Sequence, residues 1–140
     1  MKPIQILLVE DNEGDILLTT EALQESKVLN KLNVVRNGKD AIEYVLKQGK
    51  FEDAIRPDLI LLDINLPLKN GLEVLKTIKS NNLVNEIPIV ILTTSSTPSD
   101  IQNAYKNYVN CYITKPVEVL DFMKSIMELG EFWFNIVKLP

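Results

Sequence analysis

Short runs of Ile, Leu and Val punctuate the chain at Ile4–Val9, Leu59–Leu62, Ile87–Leu92 and Val109–Ile113, with a weaker one at Leu32–Val35. Each has the length of a strand. Because the runs are nearly continuous rather than alternating, they predict strands buried on both faces, as in a parallel sheet.

Helical spacing fills the gaps. Ile16, Thr20 and Leu23 share a face, as do Ile42, Val45 and Leu46, then Val74, Leu75 and Ile78, then Ile101, Ala104, Tyr105 and Tyr108. After the last run come Leu120, Met123 and Met127, with Val119, Phe122 and Ile126 widening the apolar surface beyond one stripe. Asn12 is a fitting N-cap for the first helix, with Glu13 and Asp15 in its first turn, and Pro98-Ser99-Asp100 suits the start of the fourth. Five β-α units in succession predict a doubly wound α/β fold with right-handed crossovers. We expect one domain over residues 1–129 and an aromatic tail over 130–140 containing Phe132, Trp133 and Phe134. The tail either folds back on the domain or meets a partner.

Composition narrows the chemistry. A length of 140 residues suits one core. The net charge of −4 argues against a basic nucleic-acid-binding face. No apolar run approaches the roughly 20 residues of a membrane span, and the start does not read as a signal peptide. Cys111 is the sole cysteine, which excludes an internal disulfide and fits a cytoplasmic location. There is no histidine, so histidine-based nucleophile pairs and histidine metal sites are excluded.

In an open α/β sheet, ligands bind beyond the carboxyl ends of the strands. Glu10-Asp11 follow the first run, Asp63 the third with Asn65 two residues later, Thr93-Thr94-Ser95 the fourth, and Thr114-Lys115-Pro116 the fifth. If the first and third strands are neighbours, three carboxylates converge. Two like charges about 4 Å apart repel by roughly 4 kcal/mol at an effective dielectric near 20, so the cluster calls for a cation. An all-oxygen site suits Mg²⁺ with several waters. A carboxylate flanked by metal, hydroxyl and ammonium suits a phosphoryl group, and aspartate can itself accept one as an aspartyl-phosphate.

The pieces "LLVEDN" (Leu7–Asn12), "LILLDINLPLKNG" (Leu59–Gly71), "PIVILTTS" (Pro88–Ser95) and "YITKP" (Tyr112–Pro116) together resemble the receiver domain of two-component response regulators, over about Ile4 to Leu129. The resemblance implies a flavodoxin-like five-stranded parallel sheet in the order 2-1-3-4-5 with five helices. It implies Asp63 as phosphoacceptor; Glu10, Asp11 and Asp63 as metal carboxylates, with the Asn65 backbone carbonyl beside them; Thr93 and Lys115 as phosphoryl contacts; and Tyr112 as the switch aromatic. It also implies a cis Lys115–Pro116 bond. Thr94 and Ser95 blur which hydroxyl acts, and half-buried packing is the plain alternative for Tyr112.

The resemblance implies a phosphoacceptor signalling protein rather than a turnover enzyme, with at most slow self-dephosphorylation. Its partner would be a histidine kinase or a phosphotransfer protein. "VEDNEGD" and "FWFNIVKLP" are similar to the stand-alone regulators paired with phytochrome-type kinases. No output domain is expected after the fifth helix, and the apolar fifth helix and tail suggest a homodimer. Three rivals fit less well. An aspartate-nucleophile phosphohydrolase typically carries D-x-D after its first strand, whereas here Asp63-Ile64-Asn65 follow the third run. A receiver-like module that is never phosphorylated usually loses acidic or acceptor residues, which this chain keeps. A nucleotide binder needs a glycine-rich loop, and the five glycines are scattered.

Overall fold

The apolar runs form strands β1 (Ile4–Val9), β2 (Asn30–Val35), β3 (Leu59–Leu62), β4 (Ile89–Thr93) and β5 (Cys111–Thr114). Between and after them lie helices α1 (Glu13–Gln24), α2 (Gly38–Leu46), α3 (Gly71–Lys79), α4 (Pro98–Lys106) and α5 (Val119–Glu131). The strands make one parallel sheet in the order β2-β1-β3-β4-β5, the flavodoxin-like order expected. This is a computed structural model, and it describes residues 2–26, 29–116 and 118–131. The aromatic tail with Phe132, Trp133 and Phe134 lies outside the described residues.

The two faces of the sheet bury separate cores, and strand parity sorts residues between them. Leu7, Val9, Ile60, Leu62, Ile89 and Ile91 pack with Ala41, Val45, Val74, Leu75, Ile78 and Ala104 of α2, α3 and α4. Ile6, Leu8, Leu59, Leu61, Val90 and Leu92 pack with Ile16, Ala22, Leu23, Phe122 and Ile126 of α1 and α5. Every residue of β3 is buried. Full burial of each Leu or Ile contributes about 1.5–3 kcal/mol, so this central strand is a rigid mount for whatever follows it.

Capping sets the helix starts. The Asn12 carboxamide accepts the Asp15 N–H at 2.9 Å. Thr97 caps α4 with Pro98 in its first turn, as the Pro98-Ser99-Asp100 segment predicts. Asn70 and Glu73 form a reciprocal capping box on α3.

Four expectations change. Ile87 and Val109 lie outside β4 and β5. Ile87 is buried in the turn before Pro88, donating to the Val84 carbonyl. Val109 is buried because α4 ends in a Schellman motif: its N–H reaches the Ala104 carbonyl, and the Tyr108 N–H reaches that of Tyr105. The predicted apolar face of α4 is reduced to one buried residue, Ala104, with Tyr105 and Tyr108 exposed. On α5, Phe122 and Ile126 are core residues; the apolar surface left open includes Val119 and Leu120. Among the described residues no peptide bond is cis, so Lys115–Pro116 is trans, the isomer an X–Pro bond intrinsically favours.

Candidate functional site

Parity also builds the site. Glu10 continues the alternation of Ile6 and Leu8, Asp63 that of Leu59 and Leu61, and Lys115 that of Cys111 and Ile113, all on the α1/α5 side of the sheet. Ladder hydrogen bonds run past the strand ends and hold all three backbones: Glu10 N–H to Val35, Asp63 N–H to Val9 and Lys115 N–H to Thr93, at 3.1, 3.0 and 2.7 Å. Residues from three strands, 53 and 52 positions apart in turn, therefore meet at one sheet edge.

Glu10, Asp63 and Lys115 are only 3%, 7% and 8% exposed. One carboxylate oxygen from each of Glu10, Asp11 and Asp63 lies within 4.8 Å of the others. The Lys115 ammonium donates to Glu10 Oε2 at 2.5 Å and to Asp15 Oδ2 at 2.8 Å, and stands 3.5 Å from Asp63 Oδ2. Asp63 Oδ1 accepts the Ile64 N–H at 2.7 Å, which fixes the plane of the carboxylate. Glu10 Oε1 accepts the Asn12 N–H at 3.1 Å.

Burial dominates the Glu10 carboxyl and pushes it up to about 7; Lys115 pulls it down, and the nearby Asp63 charge pushes it further up. For Lys115, burial alone favours the neutral form, but hydrogen bonds to Asp15 and Glu10 and the charge of Asp63 outweigh it, so its pKa is raised. One ammonium thus serves several crowded carboxylates. Such an oxygen-only cluster fits a hard divalent cation, with Glu10, Asp11 and Asp63 as the side chains that could hold it.

The loop after Asp63 is tightly fixed. A side chain at Gly71 would place its Cβ 2.0 Å from the Asp63 carbonyl oxygen, and one at Gly38 would come 1.9 Å from that of Lys69. The Gly71 N–H bonds the Ile64 carbonyl at 2.8 Å. These two glycines are scattered in sequence but meet the same loop. Asn65 sits exposed within it.

On the opposite face, Thr93 follows Ile89 and Ile91, is fully buried, and accepts the Ser95 N–H at 3.4 Å. Thr94 is exposed and the Ser95 hydroxyl is engaged by Asp100, so of the three neighbouring hydroxyl residues only Thr93 is buried at the strand end. Tyr112 packs against the α2/α3/α4 core and donates its hydroxyl to the Ser95 carbonyl at 2.7 Å. Burial, foremost, raises its pKa.

The response regulator receiver domain model matches residues 6–127. The chain belongs to the response regulator receiver family. This receiver is 43% identical over 138 residues to the response regulator Rcp1 of a Synechocystis species, covering 99% of this chain and 94% of that protein. It is 36% identical over 139 residues to a probable methanogenesis regulatory protein of Methanothrix harundinacea, covering 99% of this chain and 88% of that one. Its fold superimposes on the phosphorylated cyanobacterial phytochrome response regulator RcpA with a TM-score of 0.96 at 44% identity, covering 99% of both chains. The Mn²⁺-bound form of Rcp1 gives 0.95 at 43%, again over 99% of both.

In this receiver, then, Glu10, Asp11, Asp63 and Lys115 come together as the sequence predicts. The sequence marks Asp15 only as a first-turn acid of α1, yet it is a direct Lys115 partner. The available signal is its position: α1 starts at Glu13, four residues past Val9 at the end of β1, and so its first turn overhangs the same sheet edge. No described helix is long and apolar enough to cross a membrane.

Proposed function

We propose that the protein accepts a phosphoryl group on Asp63 from the phosphohistidine of a partner kinase or phosphotransfer protein, and that this switches the surface made by α4, β5 and α5. The observation that carries the reading is the buried Asp63 carboxylate, within 4.8 Å of two other carboxylates and 3.5 Å from the Lys115 ammonium. An Asp63 oxygen forms the new P–O bond as the donor's P–N bond breaks; the nitrogen electron pair returns to the imidazole, which takes up a proton.

Glu10, Asp11, Asp63 and the Asn65 backbone carbonyl are the proposed ligands of Mg²⁺. A divalent cation held by these groups would supply positive charge that offsets the phosphoryl oxygens. The chain's own groups do the rest. The Ile64 N–H orients the acceptor, Lys115 pairs with the phosphoryl charge, and the Thr93 hydroxyl contacts a phosphoryl oxygen. Tyr112, already bonded to the β4–α4 loop at Ser95, follows that loop. Helix α4 suits a moving part because among its described side chains only Ala104 is buried. Carrying such a two-state element from 1:99 to 99:1 needs about 5.5 kcal/mol of differential stabilisation.

The likeness to phytochrome response regulators supports a phytochrome-type histidine kinase as the donor. We assign residues 1–129 to the receiver domain and 130–140 to a tail, place the protein in the cytoplasm, and assign it no turnover beyond slow loss of its own phosphoryl group. Exposed Val119 and Leu120 on α5 support self-association through that face; light scattering with and without beryllofluoride should give a dimeric mass, and a monomer in both conditions contradicts it. For the main reading, a phosphorylated phytochrome-type kinase mixed with this protein and Mg²⁺ should pass its label to Asp63. Retention of the label by such kinases, with Asp63 intact and Mg²⁺ present, counts against the proposed donor.

A further inference from the structure

Asp15 is the one Lys115 partner that the proposed chemistry does not use. An ammonium has three N–H donors. Here two go to Glu10 and Asp15, at 2.5 and 2.8 Å, while Asp63 is left at 3.5 Å, too long for a good hydrogen bond. The third donor is left toward Asp63, and for the ammonium to close on a phosphoryl group there it must shift toward Asp63, which lengthens one of its two short bonds. Glu10 is nearly sealed, with its side chain 4% exposed, and its other oxygen holds the Asn12 N–H. The Asp15 side chain is 28% exposed, so water can take over its carboxylate when the lysine leaves. Asp15 is therefore the releasable partner.

We propose that Asp15 is a positioning residue that competes with the phosphoryl group for the Lys115 ammonium and so weakens the phosphorylated state. The proposal rests on the reading of Asp63 as phosphoacceptor. It places a set-point for signal strength on α1, a helix that carries none of the proposed metal or phosphoryl contacts. A neighbour supplies the natural control: Glu13 carries the same charge in the same helical turn but pairs with Arg36 at 2.8 Å, in solvent.

The test is beryllofluoride binding at saturating Mg²⁺, followed by fluorine NMR, in wild type, Asp15→Asn, Glu13→Gln, Lys115→Met and the double variant Asp15→Asn/Lys115→Met. Asp15→Asn keeps the side-chain shape and removes the charge. It should tighten binding by on the order of fivefold, the upper range for a partly exposed ion pair. Glu13→Gln should leave binding unchanged, which separates competition at Lys115 from a general change of charge on α1. In the Lys115→Met background, Asp15→Asn should lose its effect, because the coupling runs through the ammonium. Unchanged or weaker binding by Asp15→Asn, or the same gain without Lys115, overturns the proposal. Should Asp15→Asn fold poorly, Asp15→Ser carries the same prediction. If wild type itself binds no beryllofluoride with Mg²⁺, the phosphoacceptor reading fails and takes this proposal with it; normal wild-type binding with no Asp15 effect sinks the proposal alone.

Discussion

Lys115 donates to Glu10 across 105 residues of sequence, with both side chains only 4% exposed. The pair joins the ends of β1 and β5, which are not neighbours in the sheet, and it is the main offset to three converging acids. Removing the ammonium should leave Glu10 and Asp63 facing each other uncompensated. Lys115→Met is therefore expected to lower the unfolding free energy of the metal-free protein by about 3 kcal/mol, the usual cost of breaking a buried pair from one side. Mg²⁺ should stabilise the variant more than wild type, since a cation would then relieve more repulsion. Urea unfolding with and without Mg²⁺ checks both; equal Mg²⁺ stabilisation in the two proteins would contradict the second.

The pH dependence has a definite sign. Glu10 sits at about 7 in the folded protein against an ordinary 4.5. Below 4.5 both folded and unfolded chains hold the proton. Between 4.5 and 7 the folded chain keeps it while the unfolded chain releases it, so this group makes stability fall as pH rises, by up to roughly 1.4 kcal/mol per pH unit. Above 7 the cost is fully present. Lys115 is raised above 10.5, so its own contribution is lost only at higher pH. Metal-free wild type should therefore lose more stability between pH 5 and pH 7 than Glu10→Gln does, and Mg²⁺ affinity of wild type should rise through the same window as the competing proton leaves. Thermal melts and Mg²⁺ titrations at stepped pH read the two effects.

Gly71 is required by close approach rather than by an unusual backbone angle. Its would-be Cβ meets the Asp63 carbonyl oxygen at 2.0 Å and the Ile64 Cα at 2.7 Å, both backbone atoms that cannot rotate away. Gly71→Ala should destabilise the protein by about 2–3 kcal/mol and reduce Mg²⁺ affinity, because the loop it displaces carries Asp63. Unchanged stability by urea unfolding would show that the loop yields more easily than its packing implies.

Tyr108 adopts the left-handed conformation, φ 66°, as the Schellman residue of α4, and its side chain is 77% exposed. Its ring contributes little burial against a backbone cost of roughly 1–2 kcal/mol. Tyr108→Gly should raise stability by about 0.5–1 kcal/mol after glycine's extra chain entropy is counted. Denaturant midpoints measure it, and a loss of stability would contradict a net backbone cost at Tyr108.

The sheet was legible because parallel strands buried on both faces leave continuous apolar runs, and β1 and β3 match those runs end to end. The runs at Ile87 and Val109 overshot because an apolar residue can be buried by a turn or a helix cap as well as by a sheet. On α4, Tyr105 and Tyr108 fit the spacing of an apolar face, but the helix meets the core only at Ala104. The acidic cluster and Lys115 were legible because residues just past strand ends inherit the strand's geometry. Asp15 was not, because its bond to Lys115 depends on how α1 docks over the sheet, a contact spanning 100 residues.

Intact mass after incubation with Mg²⁺ and acetyl phosphate tests the central claim most directly. Wild type should gain one phosphoryl group, located on Asp63 by peptide mapping, and both Asp63→Asn and metal-free wild type should gain none. Absence of the added group in wild type, or its appearance in Asp63→Asn, would contradict the account.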